Sequence, residues 1–190
     1  MTRAQFDRNE VIENSIALFW QQGFNGSSMQ QVTKATGLKP GSLYLAFDNK
    51  EGLFKEALQK YSDNSMKQIR DVLDASSSVT VGICELLKSI VLASSQNNYC
   101  SCFVIKTQLE LAAEGGELYE LALRQLSETE ALYRNYLEQE FSVEQSAVYA
   151  TSLMLHIFGV RVYGYQTSSI ERMQVALQEG LPWLPWEATN

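Results

Sequence analysis

Between Gly23 and Phe47 the sequence leaves room for two helices of about eight residues each and for nothing longer. Gly37, Pro40 and Gly41 fall within five residues, and the apolar run Leu43, Tyr44, Leu45 and Phe47 follows at once. Upstream, Ser28 suits an N-cap, and Gln31 three residues later completes a capping-box pattern. Gly37 closes that first short helix. Pro40 suits the first turn of a second one, where its missing N–H is no loss.

The rest of the chain repeats the helical period at greater length. Ile12, Ile16 and Phe19 fall four and three residues apart, an apolar stripe on a helix that Gly23 ends. A fourth helix is predicted over about 50–75, with Leu53, Phe54, Ala57, Leu58 and Tyr61 on one side and Asp48 or Asn49 as its cap. Five more are expected near 79–97, 102–113, 116–140, 143–166 and 168–180. Their breaks fall at Asn97–Asn98, Gly115–Gly116, Phe141–Ser142 and Thr167–Ser169. There is no β-alternation, and the expected architecture is all-α with about nine helices. The tail LPWLPWEATN is expected to lie against the helical body.

Composition sets limits on function. With 45% apolar and 19% charged residues the chain can bury a core, and its most apolar stretch (152–165) is broken by His156 and Arg161. No signal peptide or membrane span is expected, and three cysteines point to free thiols in a reducing, cytoplasmic compartment. The net charge of −7 is uneven: residues 1–60 hold seven Lys/Arg against six Asp/Glu, and residues 61–190 hold eight against sixteen. A near-neutral N-terminal unit on an acidic body can still bind phosphates if its cations share a face.

Two short helices joined by a tight Gly-containing turn form a helix-turn-helix, whose second helix enters the major groove by its N-terminal end. Pro40 would fix the entry angle, and Gly41 and Ser42 keep the leading edge small. Tyr44 and Lys39 offer phosphate contacts, while Leu43 and Phe47 hold the helix to its own domain. An ordinary helical hairpin has the same punctuation.

The run ALFWQQGFNGSSMQQVTKATGLKPGSLYLAFDNKEGLFKEAL (17–58) resembles the DNA-binding domain of TetR-family regulators over its whole length. The resemblance rests on Leu18–Phe19, Gly23–Phe24, Ser28, Gly37, Gly41, Leu43–Tyr44, Phe47, Lys50–Glu51 and Leu53–Phe54. It implies a reader in residues 1–50 and a helical effector-binding and dimerisation domain in 51–190. The partners it implies are a double-stranded DNA operator, a second copy of the chain and a small-molecule effector of unknown identity. By position, Ser28 and Gln30 would touch DNA from the second helix, Lys39, Pro40, Gly41, Ser42 and Tyr44 from the third, and Lys50 at the start of the fourth. Ala46 stands where many relatives carry His, which leaves the recognition edge lean in hydrogen-bonding groups. The apolar surplus of 143–166 (Val148, Leu153, Met154, Leu155, Ile157, Phe158, Val160, Val162) fits a helical interface with a second copy or closure of the monomer's own core.

The signal is less legible. In YCSCFVIKTQLELA (99–112), Ser101 as N-cap would put Cys102 in the first helical turn and Lys106 one turn on, an arrangement that lowers a thiol pKa. The stretch is also similar to the cysteine-containing segment of a TetR subgroup that senses electrophiles or oxidants, although Ser101 replaces the glycine found there. Cys102 reads first as a small packing residue, with Cys100 as a resolving partner in the sensing case. Phe103 and Gln108 are candidate pocket residues. Cys84, Cys100, Cys102 and His156 lack zinc-ligand spacing, so neither a metal nor a cofactor is expected. No nucleophile elbow, phosphate loop or His–carboxylate group appears, which argues against an enzyme. A partner-binding all-α adaptor without DNA affinity is the competing class.

Overall fold

The computed structural model describes residues 6–96, 99–166 and 170–189. The described residues form nine α-helices and no strand: α1 (Arg8–Gln22), α2 (Met29–Thr36), α3 (Pro40–Phe47), α4 (Lys50–Ala75), α5 (Val79–Ala93), α6 (Phe103–Leu111), α7 (Glu117–Leu137), α8 (Val143–Tyr163) and α9 (Ile170–Gly180). A 3-10 turn, Trp186–Thr189, closes the chain. The fold is all-α. Among the described residues no helix is long and apolar enough to cross a membrane.

The helix ends follow local chemistry. Asp7 caps α1 by accepting from the N–H groups of Asn9 at 2.8 Å and Glu10 at 3.4 Å. Ser28 and Gln31 form a complete capping box on α2: Gln31 N–H donates to Ser28 Oγ at 3.2 Å, and Ser28 N–H donates to Gln31 Oε1 at 2.8 Å. Gly37 then turns left-handed at φ 70°, ψ 1°, a conformation that favours glycine. Pro40 opens α3, and Asn49 Oδ1 caps α4 by accepting from Gly52 N–H at 2.9 Å.

Some boundaries differ from the sequence-based expectation. α5 stops at Ala93 rather than 97, α7 at Leu137 rather than 140, and α8 at Tyr163 rather than 166. α6 begins one residue late: Cys102, not Ser101, is its N-cap, without a side-chain cap bond. Ser101 is buried instead, and its N–H donates to the Tyr165 hydroxyl at 3.0 Å. The expected breaks at Asn97–Asn98 and Thr167–Ser169 lie outside the described residues.

The chain divides into two compact units, Met1–Asn64 with Cys102–Gln125, and Ser65–Ser101 with Leu126–Asn190. The first is organised around Phe54. Its ring meets Phe19, Phe24 and Phe103 edge-on at centroid distances of 4.9, 5.2 and 5.2 Å, and Phe103 meets Tyr61 at 5.6 Å. Such pairs contribute about 0.5–1.5 kcal/mol each beyond area burial. The second unit packs α5 against apolar residues of α8 and α9 (Leu153, Ile157, Met173, Leu177) and of the tail (Leu181, Leu184). The tail lies against this unit, with the Trp183 ring stacked on Tyr149 at 4.2 Å.

Candidate nucleic-acid interface

In the α2–α3 pair, Val32, Leu43 and Phe47 are buried and hold both helices to the first unit. Ser28, Gln30, Lys39, Pro40, Gly41 and Tyr44 are exposed, and Ser42 and Lys50 are half-buried. The N-terminal end of α3 is therefore open: Lys39 makes no cap bond there, and nothing lies within 4 Å of where a Cβ on Gly41 would stand. Such an end admits close approach by another backbone. At the other end, Arg8 of α1 donates to the Ala46 carbonyl at 2.7 Å, lies 4.2 Å over the Phe47 ring and pairs with Glu56. A cation on a terminal carbonyl satisfies a helix C-terminus and suits its dipole.

The turn between α1 and α2 is held from two sides. From α6, the Glu110 carboxylate accepts the N–H groups of Phe24 at 3.1 Å and Asn25 at 2.7 Å, and Lys106 donates to the carbonyls of Trp20 at 2.5 Å and Gln21 at 3.3 Å. Gly23 makes room for this. Its φ is 78°, and an added Cβ would stand 2.3 Å from Glu110 Oε2. From α4, Lys50 donates to the carbonyls of Phe24 at 2.8 Å and Ser27 at 2.9 Å and lies over the Phe24 ring. Ser28 follows directly, so the start of α2 is fixed by charges brought from distant chain.

The other site candidates sit as follows. Lys106 has its ammonium on the α1 carbonyls. Phe103 is buried in the aromatic row around Phe54, Gln108 is half-buried, and Cys102 and Cys100 are half-buried and not joined in a disulfide. Burial pushes the Cys84 thiol up to about 11. His156 Nδ1 lies 2.8 Å from the Ser152 carbonyl, and its half-buried ring packs on Gly180. A groove of about 500 Å³ runs between α8 and α9, lined by Leu155, Gly159, Tyr163, Met173 and Leu177. Val148, Leu155, Val162 and Val175 are exposed on these two helices. Among the described residues no three His, Cys, Asp or Glu side chains gather as a metal site. Sequence reasoning missed Arg8 and Glu110, since no local pattern pairs residues 38 and 86 positions apart.

Comparison with known proteins gives this geometry a context. Residues 11–57 match the family model of bacterial regulatory proteins, tetR family. The chain is 30% identical over 115 residues to the HTH-type transcriptional repressor ComR of Escherichia coli K12, covering 60% of this chain and 55% of ComR. It is 34% identical over 103 residues to the HTH-type transcriptional repressor BdcR of the same strain, covering 54% and 52%. The matches thus span about half the length of these curated relatives. A cysteine mutant of the TetR family transcriptional regulator CifR, solved with 26-base-pair double-stranded operator DNA, superposes with a TM-score of 0.79 at 27% identity. That match covers 95% of this chain and 98% of CifR.

Proposed function

We propose that the chain is a DNA-binding transcriptional regulator of the TetR family, a reading supported by the family match over residues 11–57 and by the likeness to CifR. It acts as a cytoplasmic homodimeric repressor that leaves a (pseudo)palindromic operator when a small molecule binds its helical body. The observation that carries this reading is the open N-terminal end of α3 on a pair of helices fixed at their ends. Residues 1–50 are the reader and 51–190 the effector and dimerisation part. Lys39, Ser42 and Tyr44 meet phosphates and base edges beside Pro40 and the bare Gly41, and Ser28 and Gln30 contact DNA from α2. Lys50 spends two ammonium N–H groups on carbonyls and offers the third to a phosphate. A second copy covers the apolar faces of α8 and α9, which sets two readers about 34–36 Å apart.

The test is fluorescence anisotropy of the full chain on DNA upstream of its own coding region, titrated with salt. Binding should be tight and should fall linearly in log–log form as salt rises, with Tyr44→Ala and Lys39→Ala each weaker. Binding to neither this DNA nor any duplex in a random library would sink the reading and favour an adaptor that binds protein partners.

A thiol-gated version is favoured by two half-buried cysteines outside any disulfide beside α6 and by the likeness to CifR, a regulator studied as a cysteine mutant. Here Cys102 senses an electrophile or oxidant. Iodoacetamide at pH 7.5 followed by mass spectrometry should label Cys102 and Cys100 and leave Cys84, held protonated by burial, unlabelled. A Cys102→Ser protein that keeps every effector response excludes this version and leaves the repressor intact.

A further inference from the structure

Within the described residues of 6–64, only two large apolar side chains are exposed, and both lie on α3: Tyr44 at 49% and Leu45 at 91%. The other bulky residues of that stretch are drawn inward, Phe19, Leu43, Leu53 and Phe54 completely. Leu45 is thus the most exposed large apolar side chain among the described residues. Its position is set rather than loose. Leu43 and Phe47 on either side of it are buried, and Arg8 holds the Ala46 carbonyl next to it. Gly41 stands four residues earlier, so bare backbone and the Leu45 isobutyl group share one face of the helix.

That face is poor in hydrogen-bonding groups. Between Pro40 and Phe47 only Ser42 and Tyr44 carry a side-chain donor, and no Asn, Gln, Arg or Lys lies inside the helix. Phosphates offer nothing to an isobutyl group. In the major groove the apolar feature that marks one base from the others is the 5-methyl of thymine. We infer that Leu45 is a specificity-determining residue that reads thymine through its methyl group, with Gly41 letting the helix come close enough for contact. The inference rests on the DNA-binding reading above and adds to it a stated base and a stated chemistry.

The test removes the methyl and nothing else. The duplex most enriched by the full-length protein from a randomised library is resynthesised with deoxyuridine at each thymine in turn, and affinities are read by anisotropy. The wild type should lose about fourfold at one or two thymines in each half-site, the worth of one buried methyl-sized group. Leu45→Ala should bind thymine and uracil duplexes alike at those positions. Its salt slope and its thermal unfolding midpoint should match the wild type, because phosphate contacts are untouched and the side chain is exposed. A wild type indifferent to every uracil, or a Leu45→Ala protein with the same uracil penalties, overturns the assignment while leaving DNA binding in place. A library from which no duplex is enriched overturns the DNA-binding reading, and this inference with it.

Discussion

In the first unit the backbone between α1 and α2 is tied by charged groups from α6 and α4, whereas in the second unit α5 buries nine of its fifteen residues, most of them apolar. The difference follows from length and exposure. Helices as short as α2 and α3, eight residues each, are marginal on their own. α3 also leaves one face exposed, so it gains no stability by burying that face. Stabilisation therefore moves to the ends: a capping box, a left-handed glycine, Arg8 on the Ala46 carbonyl, and Lys50 and Glu110 on the turn. α5 has no such obligation and is packed as an ordinary core helix.

The largest expected break in this contrast is in the aromatic core of the first unit. Phe54→Ala removes the ring that joins Phe19, Phe24 and Phe103, and should cost about 3–5 kcal/mol, read as a lower urea midpoint. A loss under about 1 kcal/mol would mean that the polar ties alone hold the unit. Next comes Glu110→Ala, which strands two backbone N–H groups and should cost about 1–3 kcal/mol. Operator affinity should fall with it, and unchanged affinity would show that the turn does not set the start of α2. Ser28→Ala removes one capping interaction and should cost about 1 kcal/mol. The smallest effect belongs to an exposed ion pair within α4: Lys67→Ala breaks the 2.5 Å contact with Asp71 and should change stability by about 0.5 kcal/mol or less. If Lys67→Ala cost as much as Glu110→Ala, charge pairing in general, and not attachment to backbone, would be the stabilising principle.

What was legible in the sequence has a physical pattern. Ser28, Gln31, Gly37, Pro40 and Gly23 act on backbone within a few residues of themselves, and each was placed correctly. Leu43, Phe47, Leu53 and Phe54 were legible because burial follows the helical period. Ser101 was misread as the N-cap of α6. Local spacing sets Lys106 one turn from Cys102 and could not show that its ammonium reaches carbonyls of α1 some 86 residues away. Serine is the better cap by chemistry, but burial takes the Ser101 side chain out of that role and leaves the cap to Cys102. Leu45 showed only as an apolar residue in a run, and its significance needed the exposed surface.

The distance along the chain between Gly23 and Glu110 also has a consequence in time. During synthesis α1, α2 and α3 leave the ribosome first, but the carboxylate that holds the turn between α1 and α2 is made 86 residues after Phe24. At about 5–20 residues per second that is a lag of roughly 4–17 s. In that interval α2 and α3 exist with their glycines, caps and apolar anchors but without the tie from α6. A nascent chain stopped short of residue 110 would thus carry every local instruction for these short helices and still lack the side chain that ties their turn.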